Sequence, residues 1–102
     1  MIQEVDLQRA KELIGEGIPI VDVREQRDYD SAHVPGAVHI PLNDILMDTS
    51  ILPEGDILFV CNVGVTSRVA SEMALAAGRA NVYNMSDGTK GWVAEGNPVD
   101  SA

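Results

Sequence analysis

Ile57-Leu58-Phe59-Val60-Cys61-Asn62-Val63-Gly64-Val65-Thr66-Ser67 runs from a wholly apolar segment, through the chain's single cysteine, into a glycine-containing loop. Four successive apolar residues bounded by turn signals read as a strand buried on both faces, the pattern of a parallel sheet. Beyond the loop, Ser67 to about Ala77 reads as an alanine-rich helix ended by Gly78. The cysteine therefore stands where a strand hands over to a helix.

Working outward, the same alternation repeats. Asp6 caps a helix from Leu7 to about Ile14, with Leu7, Ala10, Leu13 and Ile14 on one face and Gly15 and Gly17 closing it. Ile18-Pro19-Ile20-Val21-Asp22-Val23 is a short β-branched strand. A charged stretch from Arg24 to Ser31 leads to the turn Val34-Pro35-Gly36, and Ala37-Val38-His39-Ile40 reads as another short strand. Asn43 or Asp44 begins a short helix through Met47, and Pro53-Glu54-Gly55-Asp56 is a turn. Val82-Tyr83-Asn84-Met85 reads as the last strand, and a final helix includes Trp92, Val93 and Ala94. Strands alternating with helices predict an α/β fold with a parallel sheet. At 102 residues the chain is expected to form one domain, residues 1–102.

Composition narrows the chemistry. A net charge of −9, with no Lys/Arg cluster, argues against nucleic acid and anionic membrane as partners. The N-terminus has no basic segment followed by an apolar one, and no apolar run reaches the roughly 20 residues of a membrane span. A soluble cytoplasmic protein is expected. One Cys and two His, far apart in sequence, make a poor zinc site, so no metal is expected.

Ligands of parallel α/β sheets bind beyond the carboxyl ends of the strands, where Cys61 sits. Amides of the loop and of the first helical turn can form an anion-holding nest there, which favours a thiolate. From Ile57 to Ser71 there is no acid, and Arg68 is the only charged residue. Position alone also fits an inert buried cysteine.

The motifs around it resemble the rhodanese family. Cys61-Asn62-Val63-Gly64-Val65-Thr66-Ser67 is similar to the active loop of single-domain rhodaneses, Cys-x-x-Gly-x-x-Ser before a helix. Val21-Asp22-Val23-Arg24-Glu25 with Tyr29, His33-Val34-Pro35-Gly36-Ala37 and Ile40-Pro41 resembles the amino-terminal signature. Gly88-Thr89-Lys90-Gly91-Trp92 with Gly96-Asn97-Pro98-Val99 resembles the carboxy-terminal one. The resemblance spans about residues 5 to 99. It implies a rhodanese-like fold, a small parallel sheet of about five strands flanked by helices on both faces.

It also implies sulfurtransfer without a cofactor. Cys61 would take sulfane sulfur from a small donor as a persulfide and pass it to a thiol, to cyanide or to a sulfur-accepting protein. Asn62, Val63, Gly64, Val65, Thr66, Ser67 and Arg68 would bind substrate, with Asp22 and Arg24 as a supporting ion pair. Arg68 is also placed to pair with an acid elsewhere. His33 reads as a cap on local backbone, while His39 has no clear role.

Two positions depart from the commonest family pattern. Thr66 stands where many relatives carry Arg, and Ala32 replaces the glycine before His33. The alternative function is a non-catalytic or carrier module that binds a protein partner. A phosphatase would need a phosphate-clamping Arg one residue nearer to Cys61 than Arg68. A Cys/His hydrolase would need an imidazole beside Cys61, and both histidines have other motifs around them.

Overall fold

The computed structural model describes residues 1–102. Five parallel strands form one sheet: β1 Ile2–Val5, β2 Ile20–Asp22, β3 Val38–His39, β4 Ile57–Val60 and β5 Val82–Met85. Their spatial order is β1-β5-β4-β2-β3, so the most apolar strand lies in the centre. Five helices connect them: α1 Leu7–Gly15, α2 Gln26–Ser31, α3 Leu42–Met47, α4 Thr66–Ala76 and α5 Gly88–Ala94. A 3-10 turn, Thr49–Ile51, follows α3.

The period of two along the strands divides the interior into two layers. Leu58 and Val60 of β4 join Val5, Leu13, Ile20, Tyr83, Met85 and Trp92 on the face covered by α1 and α5. Ile57, Phe59 and Cys61 join Val21, Ile45, Val82, Ala70 and Ala74 on the face covered by α3 and α4. Cys61 thus shares its parity with the α4 face. The small side chains Ala70 and Ala74 are fully buried against the sheet, which lets the α4 backbone come close.

Local signals account for most boundaries. The Asp6 carboxylate accepts from the Arg9 amide at 2.8 Å and caps α1. The strand expected over residues 18–23 narrows to Ile20–Asp22, and the one over 37–40 to Val38–His39. Helix α4 begins at Thr66, one residue before the expected Ser67.

Two elements run against the sequence reading. The N-terminal residues Ile2–Val5 form an edge strand, paired in parallel with β5 so that Glu4 lies opposite Asn84. Four residues with two polar side chains carry too little apolar signal to announce a strand. Gln26–Ser31, read only as a charged stretch, forms α2, whose partly buried Tyr29 packs against the α1/α5 core. Tyr29 stacks on His33 at 3.8 Å between ring centroids and on His39 at 4.7 Å, and its hydroxyl donates to the Ala37 carbonyl at 2.8 Å. No helix is long and apolar enough to cross a membrane.

Because α4 rests on the sheet through alanines, Ala74→Leu is expected to overpack this seam. It should lower the unfolding free energy by about 1–3 kcal/mol in urea denaturation, while an exposed control such as Glu72→Ala changes it little.

Candidate active site

Cys61 follows the last residue of β4, at the carboxyl end of the central strand and only 3% exposed. Its sulfur meets hydrogen-bond donors rather than acids. The Gly64 amide lies 3.2 Å from Sγ, and the Ser67 hydroxyl also lies 3.2 Å away. Burial pushes the thiol pKa up. Hydrogen bonds from the Ser67 hydroxyl and from the amides of Ser67, Val63 and Gly64 pull it down by more, so the net direction is below the ordinary cysteine value.

The loop holds this form because helix α5 grips it from behind. The Thr89 amide donates to the Cys61 carbonyl at 2.8 Å, and the Lys90 amide to the Asn62 carbonyl at 3.1 Å. Those two carbonyls thereby turn toward α5. Gly88 makes the approach possible: its φ is +67°, and a Cβ there would lie 2.1 Å from the Asn62 oxygen. Gly64 is constrained likewise, with φ +84° and the Ser86 carbonyl oxygen 2.6 Å from where a Cβ would sit.

Asp22 and Arg24 form the expected ion pair, almost wholly buried. Arg24 Nε and Nη2 meet the Asp22 carboxylate at 3.0 and 2.9 Å, a two-pronged contact. The same guanidinium donates to the Ala32 carbonyl at 2.6 Å and to Asn62 Oδ1 at 3.2 Å. Arg24 thus ties the first loop residue to β2. His39 Nε2 meets the Arg24 carbonyl at 2.7 Å, giving this histidine a place that its sequence context did not reveal. His33 Nδ1 meets the Tyr29 carbonyl at 2.7 Å, a local backbone contact.

A cavity of about 500 Å³ opens above Cys61, lined by Val23, Arg24, Glu25, Asp28, Pro41, Leu42, Asn43, Cys61, Asn62, Val63 and Thr66. Of the loop residues expected to bind substrate, Asn62, Val63 and Thr66 line it. Gly64 and Ser67 instead contact the sulfur, and Val65 is exposed outside the cavity. Arg68 is corrected: it does not line the cavity but is ion-paired with Glu4 and, at 3.7 Å, with Glu72. One helical step past Ser67 turns its side chain away from the sulfur, toward β1.

Sequence reasoning missed the cavity wall supplied by Glu25, Asp28, Pro41, Leu42 and Asn43, which comes from segments distant in the chain. It also missed Asn84, whose signal was a polar residue inside an otherwise apolar strand. No group of three or more His, Cys, Asp or Glu side chains is arranged to hold a metal ion.

A parallel α/β sheet that presents a cysteine in an amide-lined loop is suited to nucleophilic chemistry at sulfur. The family model of the Rhodanese-like domain matches residues 6–95, and the chain belongs to that family. It is 35% identical over 94 residues to "Putative sulfur carrier protein YrkF" of Bacillus subtilis (strain 168), covering 89% of this chain but only 51% of that protein, about half its length. It is 29% identical over 101 residues to "Thiosulfate sulfurtransferase GlpE" of Haemophilus influenzae (strain PittEE), covering 98% of this chain and 96% of the relative. Among solved structures, a rhodanese-related protein from Thermoplasma volcanium superposes with a TM-score of 0.87 at 23% identity, over 98% of this chain and 99% of that one. That likeness shows the shared fold.

If the grip of α5 sets the loop, iodoacetamide alkylation of the native protein followed against pH should give an apparent Cys61 pKa below the roughly 8.5 of a free cysteine. Gly88→Ala should move that value back toward the free one, because the added methyl displaces the Asn62 peptide. A wild-type value at or above that of free cysteine would contradict this account.

Proposed function

We propose that the protein is a sulfurtransferase that carries sulfane sulfur as a persulfide on Cys61 and passes it to a thiol or cyanide acceptor. The observation that carries this reading is the Cys61 sulfur itself, held by amide and hydroxyl donors beneath a cavity that Cys61 lines. The whole chain, residues 1–102, is read as one such domain.

The chemistry follows from the site. The Cys61 thiolate attacks the outer sulfur of a donor persulfide, R–S–S⁻. A new S–S bond forms, the old one breaks, and the leaving thiolate departs with its electron pair. The charge on Cys61 then resides on the outer sulfur, within reach of the loop amides. An acceptor thiolate or cyanide attacks that outer sulfur and releases Cys61 as thiolate. No external oxidant, reductant or cofactor enters the balance. The cycle needs a reduced thiol, which suits a reducing compartment such as the cytoplasm and agrees with a single unpaired cysteine.

The cavity wall bears on the donor. Glu25 and Asp28 are its carboxylates, and its one cation, Arg24, is engaged by Asp22, Ala32 and Asn62. Thr66 is neutral, and Arg68 is held outside by Glu4 and Glu72. A dianion such as thiosulfate therefore meets no uncommitted cation on this wall. The reading favours an organic persulfide or polysulfide over thiosulfate. A carrier role, with delivery to a protein acceptor, is the second reading. The exposed apolar side chains of Val63 and Val65 beside Cys61, and the sulfur-carrier name of one relative, favour it.

Incubation with a sulfane donor should add the mass of one sulfur to the protein, removable by cyanide or dithiothreitol and absent in Cys61→Ser. Multiple-turnover cyanolysis indicates an enzyme, whereas loading without turnover indicates a carrier. Full sulfurtransfer by Cys61→Ser would falsify the central claim.

Wild type should use thiosulfate poorly, and Thr66→Arg should raise its kcat/KM by about 10- to 100-fold, the worth of one charge-assisted hydrogen bond. The gain should shrink with added salt. Efficient thiosulfate turnover by wild type, insensitive to salt and unimproved by Thr66→Arg, would count against the donor assignment.

A further inference from the structure

Behind Cys61, on the side away from the cavity, lies a buried chain of polar groups that sulfurtransfer alone does not require. The Ser67 hydroxyl oxygen is 3.2 Å from Cys61 Sγ and 2.5 Å from Asn84 Oδ1. Asn84 Nδ2 in turn donates to Glu4 Oε1 at 2.9 Å and to the Gly64 carbonyl at 3.0 Å. Ser67 and Asn84 are essentially excluded from solvent, and Glu4 is partly exposed at the sheet edge, where it meets Arg68.

The orientation of the Asn84 amide is forced. A carboxylate and a backbone carbonyl only accept hydrogen bonds, so the NH2 end must face Glu4 and Gly64. The Oδ1 end must then face Ser67. A serine hydroxyl has one proton, so Ser67 cannot donate to Asn84 and to the sulfur together.

When Cys61 is a thiol, its S–H donates to Ser67, Ser67 donates to Asn84, and every group is paired. When Cys61 is a thiolate, the hydroxyl proton is needed at sulfur, and Asn84 Oδ1 loses its buried donor. When Cys61 carries an outer sulfur, the charge has moved off Sγ, and the proton can return to Asn84.

From this geometry we infer that Asn84 is a positioning residue that sets which way the Ser67 hydroxyl points, and so biases Cys61 away from free thiolate and toward its sulfur-loaded form. The last clause rests on the persulfide reading above. The first does not.

The test is a double-mutant cycle read by the pH profile of Cys61 alkylation, with folding checked by circular dichroism. Asn84→Leu removes the competing acceptor at similar volume. The thiol pKa should fall by about one unit, the order expected when one hydrogen bond to a charged group is regained. Ser67→Ala removes the donor, and the pKa should rise. In the Ser67→Ala background Asn84→Leu should lose this downward shift, leaving only what the lost Gly64 contact contributes, because Asn84 acts on the sulfur through Ser67.

Any loosening of the loop through the lost Gly64 contact would act in both backgrounds and so cancel in the cycle. A shift of equal size in both backgrounds, or a rise in pKa with Asn84→Leu alone, would overturn the inference. Asn84→Ala gives the same comparison should the leucine variant not fold.

A second readout is the fraction of Cys61 loaded at a fixed ratio of persulfide donor to thiol acceptor. Measured at a pH above the Cys61 pKa of both proteins, where unloaded Cys61 is thiolate, the loading constant should fall about tenfold in Asn84→Leu, matching the one-unit pKa change. An unchanged loading constant would overturn the bias toward the loaded form. Failure of wild type to load at all would refute the persulfide reading instead, leaving the alkylation cycle to decide the role of Asn84.

Discussion

Everything at this site depends on how two peptide groups are turned. A loop of five residues between a strand and a helix has carbonyls and amides in equal number, and a sulfur anion tolerates only the amides. The amides of Thr89 and Lys90 draw the Cys61 and Asn62 carbonyls toward α5, and the Gly64 amide is left to face the sulfur. Gly88 permits the close approach, since any side chain there would overlap the Asn62 peptide. Parts of the chain more than twenty residues apart in sequence thus cooperate to give Cys61 its character.

A second constraint is electrostatic. The protein carries a net charge of −9, yet the immediate surroundings of the sulfur are neutral donors. The one buried acid nearby, Asp22, is matched by Arg24, and breaking such a pair by removing one partner typically costs about 3–5 kcal/mol. Arg24 extends that pairing to the Asn62 side chain, so the ion pair also anchors the loop. Glu25 and Asp28, which have no ion-pair partner, line the cavity and are not among the groups hydrogen-bonded to the sulfur.

Much of the fold was legible in the sequence because its central strand is a continuous apolar run and β5 is apolar but for Asn84. Its longer helices carry a clear signal, the Asp6 cap of α1 and the alanine-rich run of α4 before Gly78. Ile57–Val60, Val82–Met85, α1 and α4 all announce themselves in this way. The elements that escaped are those whose apolar content is small: the edge strand Ile2–Val5 and the six-residue α2. Both owe their form to what they pack against, β5 for the first and the α1/α5 core for the second. Their omission matters, because β1 brings Glu4 to Asn84 and α2 supplies Asp28 to the cavity.

The sequence by itself determined the alternating α/β architecture and the place of its single cysteine between a strand and a helix. These follow from local periodicity and from there being one cysteine at one strand end. Only the tertiary structure decided which neighbours act on that sulfur. It turned Arg68 out toward Glu4 and Glu72, set Asn84 behind Ser67, and brought Gly88 against Asn62. Spacing along the chain fixes which face of its own element a side chain takes. Which partner waits on that face depends on strand order, here β1-β5-β4-β2-β3, and that order arises from long-range packing that no local pattern encodes.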